Sequence, residues 1–199
     1  MKIGIILKSP LELGKVEEDL VIFADAGFKF KEQLKDKKVL AVVGDFDSLG
    51  KAPNSEKVVA LKKEKNFTDG EFALRYAVEN GATDISIYGA FGGKIEHVLG
   101  NIALLAIAKA LKANAKLVGE KTVVKLIDKT TKITVKKGAT ISLIPYGGEC
   151  SFAKSFGLYY PLNDLTLTPF DTRGISNLAI EEKIEICISN GTALLIYDK

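Results

Sequence analysis

Hydrophobic residues in the first 118 positions fall mostly into short, unbroken runs that polar or glycine-rich segments separate. Four of these runs predict β-strands, at 3–7, 20–24, 39–43 and 84–89. Apolar runs without alternation are typical of strands that are buried on both faces, as in a parallel sheet. Segments with helical spacing lie between them, at about 27–36, 69–80 and 96–112. The pattern predicts an α/β domain with a parallel, Rossmann-like sheet over residues 1–118.

The pattern changes after about residue 119, where short strands with turn signals replace the helical segments. The predicted strands lie at 121–129, 131–138, 140–147, 164–170, 183–189 and 192–198. Two of them, at 131–138 and 183–189, alternate apolar with polar residues, which is typical of a sheet with one face in water. The sequence therefore predicts a small all-β sandwich or barrel over residues 119–199, joined to the first domain by a short linker near 115–122. A crevice between two domains is a common place for a ligand.

The second predicted helix has recognisable ends. Thr68 followed by Glu71 has the spacing of a capping box, in which each side chain binds the backbone N–H of the other residue. Gly81 follows the last turn, where glycine is a common C-terminal cap. We therefore expect this helix to begin near residue 69 and to end near residue 80.

The composition fits a globular protein, with 47% hydrophobic and 27% charged residues and a net charge of +3. Because the two signs of charge are interspersed, there is no signature of nucleic-acid binding. Cys150 and Cys187 lie in apolar stretches and have neither disulfide nor zinc spacing. The first residues do not resemble a signal peptide, and no apolar run is long enough to cross a bilayer. We expect a cytoplasmic protein without membrane or nucleic-acid partners.

Asp45 and Asp47 lie at the carboxyl end of the strand predicted at 39–43, where α/β sheets bind ligands. Aspartate is also common in turns, so this position alone favours no function. Two carboxylates close together cost free energy unless a cation or a shared proton offsets their charge. The spacing is like that of a calcium-binding EF-hand, but Leu49 offers no oxygen at loop position five and a strand precedes the loop. We therefore exclude calcium.

Two more candidate clusters follow along the chain. Asp69 begins the second helix, where N–H groups and the helix dipole favour an anion, although it also fits an ordinary cap. Gly92 and Gly93 precede the third helix and would let the backbone approach a phosphate. His97 and Asn101 share a face of that helix, and His97 fits an interior residue about as well as a ligand contact. All three clusters lie at strand–helix transitions, and together they suit a magnesium-bound nucleotide.

The order and spacing of six segments resemble the thiamine pyrophosphokinase family over nearly the whole chain. The segments are ADAGFKF (24–30), GDFDS (44–48), NFTD (66–69), GGKIEHVLGNIALL (92–105), GLYYPL (157–162) and GISN (174–177). Members of that family transfer a diphosphate from ATP to the hydroxyethyl arm of thiamine and release AMP. The resemblance implies an α/β half that binds ATP and Mg²⁺ and a β half that helps to bind thiamine. It also implies a homodimer, in which thiamine lies between the α/β half of one subunit and the β half of the other.

The resemblance assigns roles to particular positions. Catalysis and magnesium binding fall to Asp45, Asp47 and Asp69, with Asp45 or Asp69 as the acceptor of the hydroxyl proton. The implied ATP-binding residues are Asn66, Thr68, Lys94, Glu96, His97 and Asn101. The implied thiamine-binding residues are Tyr160, which would stack on the cationic ligand, and Ser176 and Asn177, which would hydrogen-bond its aminopyrimidine.

Departures from the family pattern keep other functions open. Ala26 replaces a glycine, Asn66 replaces an aspartate, and Lys94 with Glu96 replace an arginine and an aspartate. A lysine lacks the planar fork with which arginine binds phosphate. One alternative is a diphosphokinase for another alcohol, such as a hydroxymethylpterin. A second is a non-catalytic sensor that binds thiamine diphosphate or nucleotide, and a purely structural role ranks last.

Overall fold

The computed structural model describes residues 1–46, 57–60 and 66–199. The chain divides into two compact units, Met1–Glu120 and Lys121–Lys199. Each unit has a cluster of buried hydrophobic residues of its own. No helix in the described residues is both long and apolar enough to cross a membrane.

The first unit is built on a parallel sheet. Its described strands are β1 (Lys2–Ile6), β2 (Leu20–Ala24), β3 (Lys38–Gly44), β4 (Val58–Ala60), β5 (Asp84–Tyr88) and β6 (Asn114–Val118). They lie in the order β6-β5-β1-β2-β3-β4, and each neighbouring pair is parallel. The consecutive residues Ile5 and Ile6 are both fully buried, so both faces of β1 are covered. The unbroken apolar runs therefore do mark strands buried on two sides, while a closer likeness to the Rossmann fold stays a prediction.

One strand of this sheet lies in the segment predicted as a linker. β6 occupies Asn114–Val118 and pairs with β5 along its whole length. Only Leu117 and Val118, its last two residues, are buried. The apolar run is therefore too short to be recognised as a strand from the sequence. The first part of the predicted linker at 115–122 is a strand, and the division between the units, after Glu120, lies in its later part.

The α-helices of the first unit begin and end close to the predicted positions. They are α1 (Asp69–Glu79) and α2 (Ile95–Ala110). Thr68 is the N-cap of α1, and its hydroxyl accepts a hydrogen bond from the N–H of Glu71 at 3.1 Å. Gly81 follows the helix with a φ of 86°, as expected for a C-terminal cap. The carboxylate of Glu71 accepts hydrogen bonds from Arg75, so this side chain serves an ion pair within the helix instead of the predicted cap.

The segment between β2 and β3 is not the α-helix that the spacing at 27–36 predicts. It forms two short 3-10 helices, Asp25–Phe30 and Glu32–Leu34. The N–H groups of Lys31 and Leu34 bind the carbonyl oxygens three residues earlier, at 3.0 and 3.1 Å. With three residues per turn, Phe28 and Leu34 lie on the same side of the segment, and both contact the core.

The second unit consists of antiparallel strands, and residues 121–199 contain no helix. The strands are β7 (Thr122–Ile127), β8 (Thr131–Thr134), β9 (Thr140–Phe156), β10 (Leu165–Leu167), β11 (Asn177–Leu178) and β12 (Lys183–Asp198). β9 and β12 pair along most of their length. β7 and β8 pair with the two ends of β12, and β10 and β11 pair with β9. The all-β prediction is confirmed for this unit; the finer description as a sandwich or barrel stays a prediction.

β12 joins the strands predicted at 183–189 and 192–198 into one. The intervening Gly191 has a φ of 82°, and the register with β9 shifts on either side of it. These features belong to a β-bulge, which absorbs extra residues without reversing the chain. A Cβ at Gly191 would lie 2.1 Å from the carbonyl oxygen of Glu149, so glycine is required at this close approach.

Candidate active site

Two aspartates leave neighbouring strands at the carboxyl edge of the parallel sheet. Ala24, the last residue of β2, pairs with Val43 in β3. Asp25 follows β2 directly, and Asp45 follows the end of β3. A Cβ on Gly44 would lie 3.1 Å from the Cα of Asp25, so the two chain segments are in contact. The missing side chain at Gly44 lets the strand ends approach each other at the place where α/β sheets bind ligands.

Of the described residues at this edge, Asp25 shows the clearest sign of a functional role, and no role is predicted for it from the sequence. Its φ is 44°, which is uncommon for a residue with a side chain. Among the described residues, its Oδ1 is the buried side-chain atom that lacks a hydrogen-bond partner. Such an oxygen is unfavourable unless a cation, a donor or a proton reaches it. The signal available in the sequence is its position directly after a buried strand, which is the same signal that marks Asp45.

The chain turns sharply after Asp45. Phe46 has a φ of 58° and is only 4% exposed, so its ring stays in the core while the backbone turns. Asp47, which we expect to share a metal with Asp45, lies outside the described residues. The paired carboxylates at 45 and 47 therefore stay a prediction.

The N-terminus of α1 lies near the same edge of the sheet. A Cβ on Gly70, the second residue of α1, would lie 3.4 Å from Cδ2 of Leu7, which directly follows β1. Asp69 and Thr68 therefore lie near the carboxyl end of β1. The Thr68 hydroxyl is used in capping the helix, and Asn66 lies exposed in the bend before it.

The glycine-rich turn before α2 lies against the same strand end. Gly89 has a φ of 72°, and a Cβ there would lie 2.4 Å from the carbonyl oxygen of Leu7. Gly92 and Gly93 both have a φ of 80°. Consecutive residues in such conformations can turn successive N–H groups towards one anion. The second and third predicted clusters therefore both contact the end of β1.

The first turns of α2 present the other predicted ATP-binding residues. Lys94 is the N-cap, Glu96 lies in the first turn, and both are exposed. His97 is also exposed, so the alternative interpretation of an interior histidine is wrong. Nδ2 of Asn101 donates a hydrogen bond to the carbonyl oxygen of Ala90 at 2.9 Å. Asn101 thus ties the glycine-rich turn to the helix.

The chemistry of the acidic edge fits a hard cation. Magnesium prefers carboxylate oxygens, and Asp25 offers one that is buried and unpaired. Within the part of the chain that the structure describes, no group of three or more His, Cys, Asp or Glu side chains could hold a metal. The predicted set includes Asp47, which lies outside that part, so the magnesium site stays a prediction.

In the second unit, the three predicted thiamine-binding residues lie together. Oδ1 of Asn177 accepts the N–H of Tyr160 at 3.0 Å, and Nδ2 donates to the Tyr160 carbonyl at 2.7 Å. Ser176 has a φ of 60°, and its N–H donates to Oγ of Ser142 at 3.0 Å. Tyr160 is 62% exposed, and its ring meets the ring of Tyr159 edge-on with the ring centres 4.8 Å apart. An exposed aromatic ring therefore stands on a backbone that is fixed by hydrogen bonds.

These features define a two-unit class of protein, with an acidic, glycine-rich edge on a parallel α/β unit and an exposed aromatic site on an antiparallel β unit. The profile described as "Thiamin pyrophosphokinase, catalytic domain" matches residues 14–118. The profile described as "Thiamin pyrophosphokinase, vitamin B1 binding domain" matches residues 127–195. The chain belongs to the thiamin pyrophosphokinase family, which confirms the resemblance seen in the sequence.

Individual relatives agree with this assignment. The thiamine pyrophosphokinase of Bacillus subtilis (strain 168) is 31% identical over 170 residues, which cover 77% of this chain and 75% of that protein. The crystal structure of thiamine pyrophosphokinase from Bacillus subtilis has a TM-score of 0.87 at 25% identity, covering 100% of this chain and 99% of that one. The crystal structure of thiamin pyrophosphokinase from Geobacillus thermodenitrificans has a TM-score of 0.81 at 25% identity, with coverages of 100% and 98%.

Proposed function

We propose that this chain transfers a diphosphate group from ATP to thiamine in a magnesium-dependent reaction that yields thiamine diphosphate and AMP. Membership of the family supports the reaction class and does not favour another alcohol or a sensor. Within this chain, the observation that supports the proposal most directly is the buried, unpaired Oδ1 of Asp25 beside Gly44. A carboxylate in that state suits a site that a cation completes.

The carboxylates at the sheet edge would hold the metal. We assign Mg²⁺ to Asp45, Asp47 and Asp69, and we add Asp25 because its orphaned oxygen fits the donor set of this ion. When bound, the metal neutralises charge on the phosphate oxygens. The protein's part is to hold these carboxylates at one edge, and the contact between Gly44 and Asp25 does this for two neighbouring strand ends.

The phosphates of ATP would lie at the turn before α2. Backbone N–H groups at Gly92 and Gly93, together with the N-terminus of α2, favour anions. The exposed side chains of Lys94 and His97 add donors, and Asn101 keeps the turn in place through its bond to the chain before it. The other proposed ATP contacts are Asn66, Thr68 and Glu96.

The transfer itself needs one acceptor of a proton. The hydroxyl oxygen of thiamine attacks the β-phosphorus of ATP and forms a new O–P bond. The bond from that phosphorus to the oxygen that bridges to the α-phosphate breaks, and AMP leaves with this oxygen. The hydroxyl proton passes to a carboxylate, for which Asp45 and Asp69 are the candidates. Positioning and charge neutralisation carry most of such a reaction.

Thiamine would bind at the aromatic site of the second unit. The exposed ring of Tyr160 can stack on the cationic ring of thiamine. The hydroxyl of Ser176 would hydrogen-bond the aminopyrimidine. Asn177 uses its oxygen and one amide hydrogen on Tyr160, and its second amide hydrogen can donate to the ligand.

We extend the proposal to a cytoplasmic homodimer with thiamine sites at the subunit interface. Ile95 and Leu99 of α2 are 70% and 60% exposed, and a second subunit would cover such an apolar surface. Both cysteines are free, as is usual in a reducing compartment. Sedimentation tests the assembly: twice the chain mass of 21.5 kDa supports the dimer, and a monomer at micromolar concentration contradicts it.

Chromatography of the reaction products tests the substrate. Purified protein is incubated with ATP, Mg²⁺ and either thiamine or a hydroxymethylpterin. We expect thiamine diphosphate and AMP in equal amounts, and no AMP with the pterin. AMP formed only with the pterin would establish the other alcohol as the substrate, and thiamine binding without turnover would support a sensor.

A further inference from the structure

A short segment of the second unit, residues 174–177, runs beside β9 and contains two of the proposed thiamine contacts. At one end of the segment, Asn177 pairs with Ile141 of β9 in an antiparallel ladder. At the other end, the N–H of Leu143 donates to the carbonyl oxygen of Gly174 at 2.8 Å. The backbone of the segment is therefore attached to β9 at both ends.

Between these two attachments the segment contains one residue more than β9 does. It advances three residues from Gly174 to Asn177, whereas β9 advances two from Ile141 to Leu143. An extra residue on one chain is the mark of a β-bulge, which redirects a side chain and is common next to active sites. Ser176 lies inside this bulge and has a φ of 60°. Such a backbone conformation is uncommon for a residue with a Cβ and persists only where surrounding contacts hold it.

Ser142 of β9 supplies such a contact. Its Oγ accepts the N–H of Ser176 at 3.0 Å. Because side chains alternate along a strand, Ser142 faces away from the core to which its neighbours Ile141 and Leu143 belong. It is nevertheless only 9% exposed. A largely buried hydroxyl thus takes the place of the backbone carbonyl that a regular ladder would offer to this N–H.

The other contacts of the bulge come from the backbone. A Cβ on Gly174 would lie 1.9 Å from the carbonyl oxygen of Leu143, so the segment approaches β9 closely at this end. The pairing of Asn177 with Ile141 fixes the other end. A substitution at Ser142 therefore removes the side-chain contact in the middle of the bulge and leaves both backbone attachments in place.

We propose that Ser142 is a positioning residue for thiamine, because it holds Ser176 in its left-handed conformation and so directs the Ser176 hydroxyl towards the aminopyrimidine. This inference rests on the proposed function, in which that hydroxyl contacts the ligand. Ser142 acts through Ser176 and does not itself touch thiamine. Without Oγ of Ser142, the backbone of Ser176 can return to a negative φ, which residues with a Cβ prefer, and its side chain then points elsewhere.

The neighbouring Asn177 has contacts of its own. Its side-chain amide binds the main chain of Tyr160 at 3.0 and 2.7 Å, and its backbone pairs with Ile141. None of these contacts involves Ser142. The loss of the Ser142 hydroxyl should therefore act on Ser176 and leave the aromatic part of the thiamine site in place.

Calorimetry with thiamine, in the absence of ATP, tests the proposal without turnover. We expect Ser142→Ala to weaken thiamine binding about fivefold, the effect of one ordinary hydrogen bond. Ser142→Thr keeps the hydroxyl and should restore most of the affinity, and ATP binding should stay nearly unchanged in both variants. Ser151→Ala is the matched control, because Ser151 also lies on β9 and its Oγ shares a hydrogen bond of 2.8 Å with Oγ1 of Thr166. It should bind thiamine like the wild type.

A double-mutant cycle with Ser176→Ala shows whether Ser142 acts through Ser176. Once the Ser176 hydroxyl is gone, Ser142→Ala should have little further effect on thiamine binding. A further loss of about fivefold in the Ser176→Ala background would mean that Ser142 acts independently, which overturns the proposal. Thiamine binding by Ser142→Ala that equals the wild type also overturns it.

Hydrogen exchange at the Ser176 amide separates this inference from the proposed function. We expect this amide to exchange about fivefold faster in Ser142→Ala and at the wild-type rate in Ser151→Ala. If the wild type binds no thiamine, the proposed function fails, whereas faster exchange in Ser142→Ala still supports the hold of Ser142 on Ser176. Unchanged exchange in Ser142→Ala overturns the inference even if the wild type makes thiamine diphosphate.

Discussion

The side-chain amide of Asn177 holds the main chain of Tyr160 through two hydrogen bonds, which join residues 17 apart in sequence. Its oxygen accepts the Tyr160 N–H at 3.0 Å, and its nitrogen donates to the Tyr160 carbonyl at 2.7 Å. Asn177 itself is only 6% exposed, whereas the Tyr160 side chain projects into solvent. The position of this aromatic residue is therefore fixed without a ligand.

Asn177→Asp tests whether this pair of bonds serves thiamine binding. The substitution keeps an acceptor but replaces the donor with an oxygen that repels the Tyr160 carbonyl. We expect the free energy of unfolding in urea to fall by about 1–3 kcal/mol. We also expect the KM for thiamine to rise while the KM for ATP changes little. Asn163→Asp is the matched control, because Asn163 accepts one backbone N–H at an exposed site and a carboxylate can still do so. Lost stability with an unchanged KM for thiamine would show a purely structural role.

Tyr160→Ala removes the proposed stacking surface. A cation–π contact contributes about 0.5–2 kcal/mol, so we expect the KM for thiamine to rise about fivefold or more while ATP binding stays nearly unchanged. Steady-state kinetics with each substrate varied in turn measures both constants. Phe156→Ala, which removes a comparably exposed ring, should leave both constants unaltered. An equal loss for the two substrates would rule out the assignment of Tyr160 to thiamine.

Gly27 and Ala26 should respond very differently to the gain or loss of one methyl group. A Cβ on Gly27 would lie 2.1 Å from the carbonyl oxygen of Ile6, whereas Ala26 already has a Cβ and is buried. The departure from the family pattern thus falls on the position that tolerates a side chain. We expect Gly27→Ala to lower the free energy of unfolding by about 1–3 kcal/mol. Ala26→Gly should lower it by about 0.4–1 kcal/mol. Denaturant unfolding of both variants would contradict this account if the two losses were equal.

The stability of the first unit should fall at high pH through Tyr88. This residue is 1% exposed, and its hydroxyl donates to Oε2 of Glu18 at 2.7 Å. Burial raises the pKa of Tyr88, while the N–H of Glu17 partly opposes this shift. An unfolded tyrosine has a pKa of about 10, so the unfolded chain loses its proton first. The stabilising contribution is therefore complete below this pH and is lost as the pH rises towards the raised folded pKa.

Tyr88→Phe isolates this contribution. The variant cannot ionise at this position, so we expect its free energy of unfolding to fall less than that of the wild type between about pH 9 and pH 11. Urea titrations across this range measure the two slopes. Equal slopes would mean that Tyr88 has the same pKa in the folded and unfolded chains.

Local signals in the sequence predict the elements that local interactions determine. The run at 20–24 forms β2 with the predicted bounds, because five consecutive apolar residues suit a strand covered on both faces. The cap at Thr68 and the glycine at 81 mark the ends of α1 because both bind groups within a few residues. The family resemblance likewise rests on short motifs, which occur in this sequence in the same order as in the family.

Features that depend on distant contacts are not visible in the sequence. The bulge at Gly191 replaces a predicted turn because β9 runs alongside and continues the pairing. The segment after β2 forms 3-10 turns since both Phe28 and Leu34 pack on the core. Asp25 looks like any turn aspartate until the fold buries its Oδ1 against the end of β3. The buried environment of Asp25 is therefore what marks it as a functional residue, and the amino-acid sequence alone does not show that environment.

Phosphorus NMR on purified protein with Mg²⁺, ATP and thiamine tests the central claim most directly. The account predicts that AMP and thiamine diphosphate appear together in the wild type. It predicts the same for the control Asp36→Asn, which changes an exposed carboxylate just before the start of β3, at the opposite end of that strand from Asp45. In Asp25→Asn and Asp45→Asn both signals should fall about a hundredfold or more, because each variant removes a carboxylate from the acidic edge. Formation of ADP in place of AMP, or wild-type turnover in both Asp25→Asn and Asp45→Asn, would contradict diphosphate transfer at this edge of the sheet.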